Sequence, residues 1–289
     1  MQYCLNGLIA AIAIALMPSL SAGEGPYFVT YTHRMEEPGN LEFATRSVTI
    51  KPSGANRTVA TVAEFEYGVK AWWTSELYLD GQTTARDSTL FTGYRWENRF
   101  RLLPREHWIN PVFYFEFENI NGADRNLLAV VGHDGEEDLT GRNGEAREEK
   151  KRELEAKLIL SSNVKGWNIS GNFIAEKNVR HAPFEFGYAV GVNRPFALAA
   201  RAERCQFCPE NFSAGVEVYG GLGTHESFGL RGTSHYVAPT LSWTPANGST
   251  TFKLSPGFGV TPTSLPFLLR FGVSYEVTQL GRSMRQWLR

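Results

Sequence analysis

Apolar and charged side chains alternate along almost every strand-like segment of this 289-residue sequence. The segment NPVFYFEFEN, residues 110–119, places its phenylalanines on one side and Glu116 and Glu118 on the other, because successive side chains of a strand point to opposite faces. Helical periodicity is confined to a short stretch around residues 197–204. The strands must therefore separate an apolar medium from a polar one.

The first 22 residues have the features of a secretory signal peptide. An apolar run from Leu8 to Met17 is followed by small residues between Ser19 and Gly23, where a signal peptidase could cut. After Gly23 no stretch approaches the ~18 uninterrupted apolar residues of a membrane-spanning helix. We therefore expect an exported chain that is either a soluble β-protein or an outer-membrane barrel.

The order of the connections favours a barrel. About twelve strands are predicted between Leu41 and Val277, with the longest links after strands five and nine and short links after the even-numbered strands. Long loops on one rim and tight turns on the other are typical of outer-membrane barrels. The run at residues 26–35 is expected to be a periplasmic or lumenal lead-in, or a strand that pairs with the one at Leu41. Residues 281–289 are expected to form a basic periplasmic tail.

The composition of the two faces indicates which solvent each one meets. The polar faces carry opposed Glu and Arg side chains, which fits a confined wet lumen. The apolar faces carry more aromatic residues than a single sandwich interface could bury, and Trp73, Trp108, Trp167 and Trp243 lie near strand ends, where a membrane boundary is expected. The lumen-lining residues that we expect to contact solute are Glu64, Glu66, Glu76, Arg95, Glu97, Arg99, Arg101, Glu116, Glu118 and Arg270.

These patterns predict an all-β chain, a transmembrane antiparallel β-barrel of about twelve strands in the bacterial outer membrane. A signal peptide at residues 1–22 would precede one domain at residues 23–289, with the barrel at about 41–280. Phe113, Phe115 and Phe117 should then face lipid. A soluble exported β-protein also alternates and remains the other fold to consider.

One hairpin resembles a known family. In EFEYGVKAWWTSELYLDG, the positions Glu64, Tyr67, Gly68 and Val69, followed by Glu76 and Leu77, are similar to the Glu-x-x-Tyr-Gly-Val hairpin of outer-membrane proteins associated with meta-pathway phenol degradation. In those relatives Thr-Asp usually follows the Gly-hydrophobic pair, whereas Lys70 and Ala71 stand here. The resemblance implies an outer-membrane pore or transporter for small, often hydrophobic compounds, and no catalytic residue carries over.

The remaining motifs predict neither a cofactor nor an enzyme. Cys205 and Cys208 form a Cys-x-x-Cys pair that an oxidising compartment would join in a local disulfide, and Pro209 stands where haem attachment needs His. Ser234 and His235 are adjacent, but neighbours on a strand point to opposite faces and could not cooperate as a lipase pair. The acidic, glycine-rich stretch at residues 132–153 lacks the ligand spacing of a calcium loop, so we expect a solvated extracellular loop and no metal site.

The function predicted from these observations is a pore or transporter for small solutes, with hydrophobic compounds included. The alternative is a structural or adhesive barrel in which Arg and Glu plug the lumen. The net charge of −1, from 29 basic and 30 acidic residues, gives no excess positive charge for nucleic acid. The expected partners are outer-membrane lipid, lipopolysaccharide, a small-molecule solute and the barrel assembly machinery.

Overall fold

The computed structural model describes residues 25–128, 130–133, 139, 141–180, 183–199, 205–246 and 248–281. The predicted signal peptide and, apart from Gly281, the predicted basic tail lie outside these residues. Within the described ranges, no helix combines the length and the apolar character needed to cross a membrane.

Twelve antiparallel strands close into one barrel. Each strand pairs with its neighbours in the chain, and the first strand also pairs with the last, with Leu41 opposite Val277. Closure leaves no unpaired sheet edge, as a hydrocarbon environment requires. The prediction of a twelve-stranded antiparallel barrel is confirmed. The strands are β1 Leu41–Ile50, β2 Thr58–Lys70, β3 Trp73–Thr84, β4 Thr89–Arg101, β5 Asn110–Asn121, β6 Lys150–Val164, β7 Trp167–Asn178, β8 Phe184–Pro195, β9 Phe212–Thr224, β10 His235–Trp243, β11 Thr250–Gly259 and β12 Phe267–Val277.

The two rims of the barrel carry different connections. β1 begins and β12 ends at the terminal rim, and the opposite end is the distal rim. The links at residues 122–149 and 225–234 lie at the distal rim, and tight turns at 71–72 and 165–166 lie at the terminal rim. The link at 196–211 also lies at the terminal rim, so the prediction of only short links after even-numbered strands is wrong there. In the second part of this link, a disulfide joins Cys205 and Cys208 and a 3-10 turn spans Pro209–Asn211.

The outer face of the barrel is apolar and the inner face is charged. Phe113 and Phe115 on β5 are 42% and 37% exposed. Glu116, the next residue before Phe117, is 1% exposed. The predicted faces are therefore confirmed for this strand. A soluble sandwich would bury its aromatic face in a dry interior, so the soluble alternative is wrong.

The interior is occupied by the N-terminal segment, residues 25–40. Phe28 and Val29 are each 2% exposed and pack in an apolar cluster inside the barrel. Because β1 pairs with β2 and β12, the segment does not pair with β1, and the lumenal alternative of the sequence prediction is the correct one. Gly68 on β2 allows the segment to enter the barrel, since a Cβ there would overlap the Glu37 carbonyl.

Candidate functional site

The main feature of the inner face is a line of glutamates in direct cross-strand register, which we call the glutamate belt. Every strand from β12 through β1 to β8 contributes one, so nine consecutive strands carry a carboxylate at paired positions. The belt consists of Glu276, Glu42, Glu66, Glu76, Glu97, Glu116, Glu155, Glu176 and Glu185, in that order around the barrel.

The belt crosses the barrel from one rim to the other. Glu42 is the second residue of β1 and lies at the terminal rim, whereas Glu185 is the second residue of β8 and lies at the distal rim. Cross-strand pairs follow the hydrogen-bonding direction, which climbs around a barrel because the strands are tilted. The carboxylates therefore form a spiral path through the thickness of the membrane-spanning wall.

Basic side chains flank the belt on both sides. The Arg99 guanidinium contacts Glu66 and lies 2.9 Å from Glu97 and 3.7 Å from Glu76. On the distal side, Arg95 binds Asp80 at 3.0 Å and Glu116 at 3.4 Å. These ion pairs offset part of the repulsion between neighbouring carboxylates.

Further contacts come from β5 and β6. The Lys157 ammonium lies 2.7 Å from Glu155 and 4.2 Å from the centre of the Tyr114 ring. Glu116, Glu118 and Glu155 bring carboxylate oxygens within 4.8 Å of one another, so these three side chains could together ligate a cation. No metal site was predicted from the sequence.

The structure places the other predicted lumen residues off the belt. Glu64 pairs with Arg46 at 2.7 Å. Arg101 donates to the His33 carbonyl of the N-terminal segment at 3.4 Å. Arg270 is fully buried and donates to the Leu127 carbonyl at 2.6 Å. All ten predicted residues thus lie on the inner face, but their contact with a solute stays a prediction.

Glu217 on β9 holds the N-terminal segment in the lumen. Its carboxylate accepts hydrogen bonds from the backbone N–H groups of Phe28, Val29 and Thr30 at 3.1, 2.9 and 2.7 Å. The sequence analysis did not include this glutamate among the expected lumen-lining residues. Charge-assisted bonds to consecutive backbone donors make Glu217 the strongest single anchor of the segment.

Other lumen side chains bind the N-terminal segment at Tyr31 and His33. The Asn172 amide accepts from the Tyr31 N–H at 2.6 Å and donates to the Tyr31 carbonyl at 3.0 Å. His33 lies 2.8 Å from Ser161 and 3.2 Å from Glu106. Burial, as the largest effect, lowers the pKa of His33, so its bond to Glu106 does not depend on a charged imidazole.

The β5–β6 link also folds into the barrel. Ala123, Val130 and Val131 are buried, and Thr92 donates to the Asp124 carboxylate at 2.6 Å. Burial and, second, the neighbouring Asp80 carboxylate raise the pKa of Asp124 to about 6. The first part of this link is therefore an internal element, which the sequence analysis did not predict.

Two cavities lie along the glutamate belt. The smaller, of about 30 Å³, is lined by Glu66 and Glu76 together with the N-terminal segment. The larger, of about 350 Å³, is lined by Glu116, Glu155 and Glu176 and by the β5–β6 link. Its volume is enough for several water molecules or one small solute.

The remaining predicted motifs lie away from the belt. Cys205 and Cys208 are joined by a disulfide in the β8–β9 link. The His235 ring nitrogens contact the hydroxyl groups of Tyr188 and Thr233. The neighbouring Ser234 takes no part in these contacts, so the pair does not form the hydrogen bond that a nucleophile and its base need.

No protein-family model matches the sequence, and no curated protein matches it. Among solved structures, the COG4313 outer membrane channel from Pseudomonas putida F1 superposes with a TM-score of 0.53 at 9% identity, covering 88% of this chain and all of that one. KdgM porin superposes with a TM-score of 0.46 at 9% identity, covering 81% of this chain and 98% of the porin. Omp33 from Acinetobacter baumannii superposes with a TM-score of 0.39 at 8% identity, covering 87% of this chain and all of Omp33. The closed barrel and its similarity to the COG4313 channel show that this chain has the fold of an outer-membrane barrel, and similarity at this identity concerns the fold alone.

Five belt residues were missed as site residues by the sequence analysis. They occur on the charged faces of their strands, so alternation indicated that each points inward. The signal that was missing is the register between strands, which decides whether inward glutamates align or scatter. The missed residues are Glu42, Glu155, Glu176, Glu185 and Glu276.

Proposed function

We propose that the protein is a channel of the bacterial outer membrane that passes small polar solutes. The observation that carries this proposal is the charged inner face, whose carboxylates border a 350 Å³ cavity inside a closed barrel. A barrel that served only as an anchor would have no need for buried charges, which are costly to remove from water.

A barrel whose lumen is closed is the second candidate. It is supported by the N-terminal segment, which occupies the lumen and is held by Glu217 and Asn172. Ion pairs such as those of Arg99 also fill space along the wall. In this alternative, the protein would have a structural or adhesive role at the cell surface.

Conductance across planar bilayers tests both candidates. Purified protein is compared with a variant that lacks residues 25–38 but keeps the two residues that bond to β2 at the terminal rim. The channel proposal predicts discrete current steps that become larger or more frequent in the variant, since the segment narrows the lumen. Heat-unfolded protein serves as the control. Silent membranes with both proteins would favour the closed barrel.

The finer predictions concern the solute and the partners. The resemblance to the family associated with meta-pathway phenol degradation implies hydrophobic solutes, and an apolar cluster inside the barrel that includes Val48, Ile50 and Leu268 would suit them. The charged wall along β2–β6 favours polar ones. Flux of phenol and of a charged analogue into liposomes separates the two. Lipopolysaccharide and the barrel assembly machinery stay predicted partners.

A further inference from the structure

The glutamate belt is an unfavourable arrangement unless it has a counter-charge or a role. Like charges directly opposite each other on neighbouring strands repel, and here the pairing recurs on nine consecutive strands from Glu276 to Glu185. A structural charge network would alternate the signs at paired positions, because alternation satisfies each charge locally. Uninterrupted carboxylates instead create one continuous negative path between the rims.

Both cavities follow this path. The smaller cavity touches the belt at Glu66 and Glu76, and the larger one touches it at Glu116, Glu155 and Glu176. Among the residues that line the larger cavity, acidic ones outnumber basic ones by eight to four. A solute that enters from the distal rim therefore meets a negative wall, which concentrates cations and excludes anions.

A further observation, outside the belt, is a buried carboxyl group at its terminal end. Glu36, on the N-terminal segment, is 1% exposed, and its Oε2 atom has no hydrogen-bond partner in the described part of the chain. Burial and then the carboxylates of Glu66 and Glu276 raise the pKa of Glu36 to about 8. A buried carboxyl oxygen that faces other carboxylates and lacks a donor takes up either a proton or a cation, so Glu36 becomes a cation ligand when its proton is displaced.

We propose that the glutamate belt is the path by which small cations, either inorganic or ammonium-bearing, cross this barrel. The inference rests on the proposed channel function and names its solute class. Lines of carboxylates select cations in pores, and conduction needs several weak sites rather than one strong site. Arg95, Arg99 and Lys157 weaken cation binding in the middle of the belt, because they neutralise part of the charge of Glu116, Glu97 and Glu155.

Ion selectivity in planar bilayers tests the proposal. With potassium chloride at different concentrations on the two sides, the reversal potential of the wild-type channel should lie close to the potassium equilibrium value. The double variant Glu176→Gln/Glu185→Gln removes two charges near the distal rim, where partial exposure limits the effect on folding. Its potassium-to-chloride permeability ratio should fall severalfold.

Glu226→Gln is the matched control, since it makes the same change on a side chain that is 73% exposed in the β9–β10 link. This variant should keep the wild-type ratio. Current in methylammonium chloride would extend the class to organic cations, and its loss would restrict the class to inorganic ones. Two results would refute the cation path along the glutamate belt and leave the channel proposal intact. They are a conducting channel without cation preference, and a cation preference that the double variant retains. Absence of current in the wild-type protein and also in the variant that lacks residues 25–38 refutes both proposals.

Discussion

Replacement of Glu217 by glutamine should release the N-terminal segment from the lumen. The Glu217 carboxylate is the acceptor for three consecutive backbone N–H groups, at 3.1, 2.9 and 2.7 Å. Glutamine keeps the shape of the side chain but has no charge and only one acceptor oxygen. The change therefore removes at least one of the three bonds and weakens the others, without creating a cavity.

The expected size of the effect follows from these bonds. A hydrogen bond to a charged group contributes roughly 1.5–3 kcal/mol and a neutral one about 0.5–1.5 kcal/mol. The loss is then about 1 kcal/mol for each bond, or about 3 kcal/mol in total. Since 1.4 kcal/mol corresponds to a factor of ten, the equilibrium between the seated and the released segment should shift roughly a hundredfold.

Maleimide labelling of a Thr32→Cys variant measures the release. Thr32 is 3% exposed in the seated segment, and Cys205 and Cys208 are protected by their disulfide. If release is fast compared with labelling, the labelling rate reports the released fraction. The rate should rise roughly a hundredfold when Glu217→Gln is added, and current steps should become more frequent.

A labelling rate that does not change with Glu217→Gln would refute this reasoning. It would mean that the other contacts, such as those of Asn172 with Tyr31, hold the segment by themselves. Glu226→Gln, an exposed carboxylate to amide change, should leave the rate unaltered. Retention of heat-modifiable gel migration would confirm that each variant has a folded barrel.

Three further predictions concern the wall and the entry of the segment. Phe115→Arg should block membrane assembly, seen as loss of heat-modifiable migration, because a charge at mid-bilayer costs roughly 2–4 kcal/mol; Glu116→Gln should assemble. Gly68→Ala should increase Thr32→Cys labelling, because the new Cβ overlaps the Glu37 carbonyl. Raising the pH from about 4.5 to about 8 should weaken the binding of the N-terminal segment in the lumen. The pKa of Glu36 is about 8 in the folded state and 4.5 in the unfolded state, so the folded state loses stability as the pH rises between these values.

Each of these predictions has a contradicting result. Equal tolerance of the changes at Phe115 and Glu116 would contradict the assigned faces. Unchanged labelling in Gly68→Ala would mean that the segment can enter without the close approach to β2. The labelling rate at each pH is divided by that of an exposed thiol, because maleimide reacts with the thiolate. A pH dependence of this ratio that persists in Glu36→Gln would assign the titration to another group.

The fold could be predicted because the sequence of each strand indicates which of its faces is apolar and which is polar. The alternation in β5, with phenylalanines opposite Glu116 and Glu118, identifies an apolar and a polar face without any knowledge of the neighbours. The number of such segments and the long link at residues 122–149 then indicate a barrel of about twelve strands. The prediction of a short link was wrong at residues 196–211, because strand alternation gives no information on a connection that a disulfide and a 3-10 turn shape.

The sequence by itself determined that this chain is a barrel with charges inside, since side-chain direction in a strand depends only on position in that strand. The tertiary structure decided which charges meet. Hydrogen-bond register between strands aligned the glutamates from Glu276 to Glu185 into one belt, and a shift by one residue on any strand would have broken it. Packing alone placed the N-terminal segment on Glu217, because that contact joins residues that are 187 to 189 positions apart in the chain.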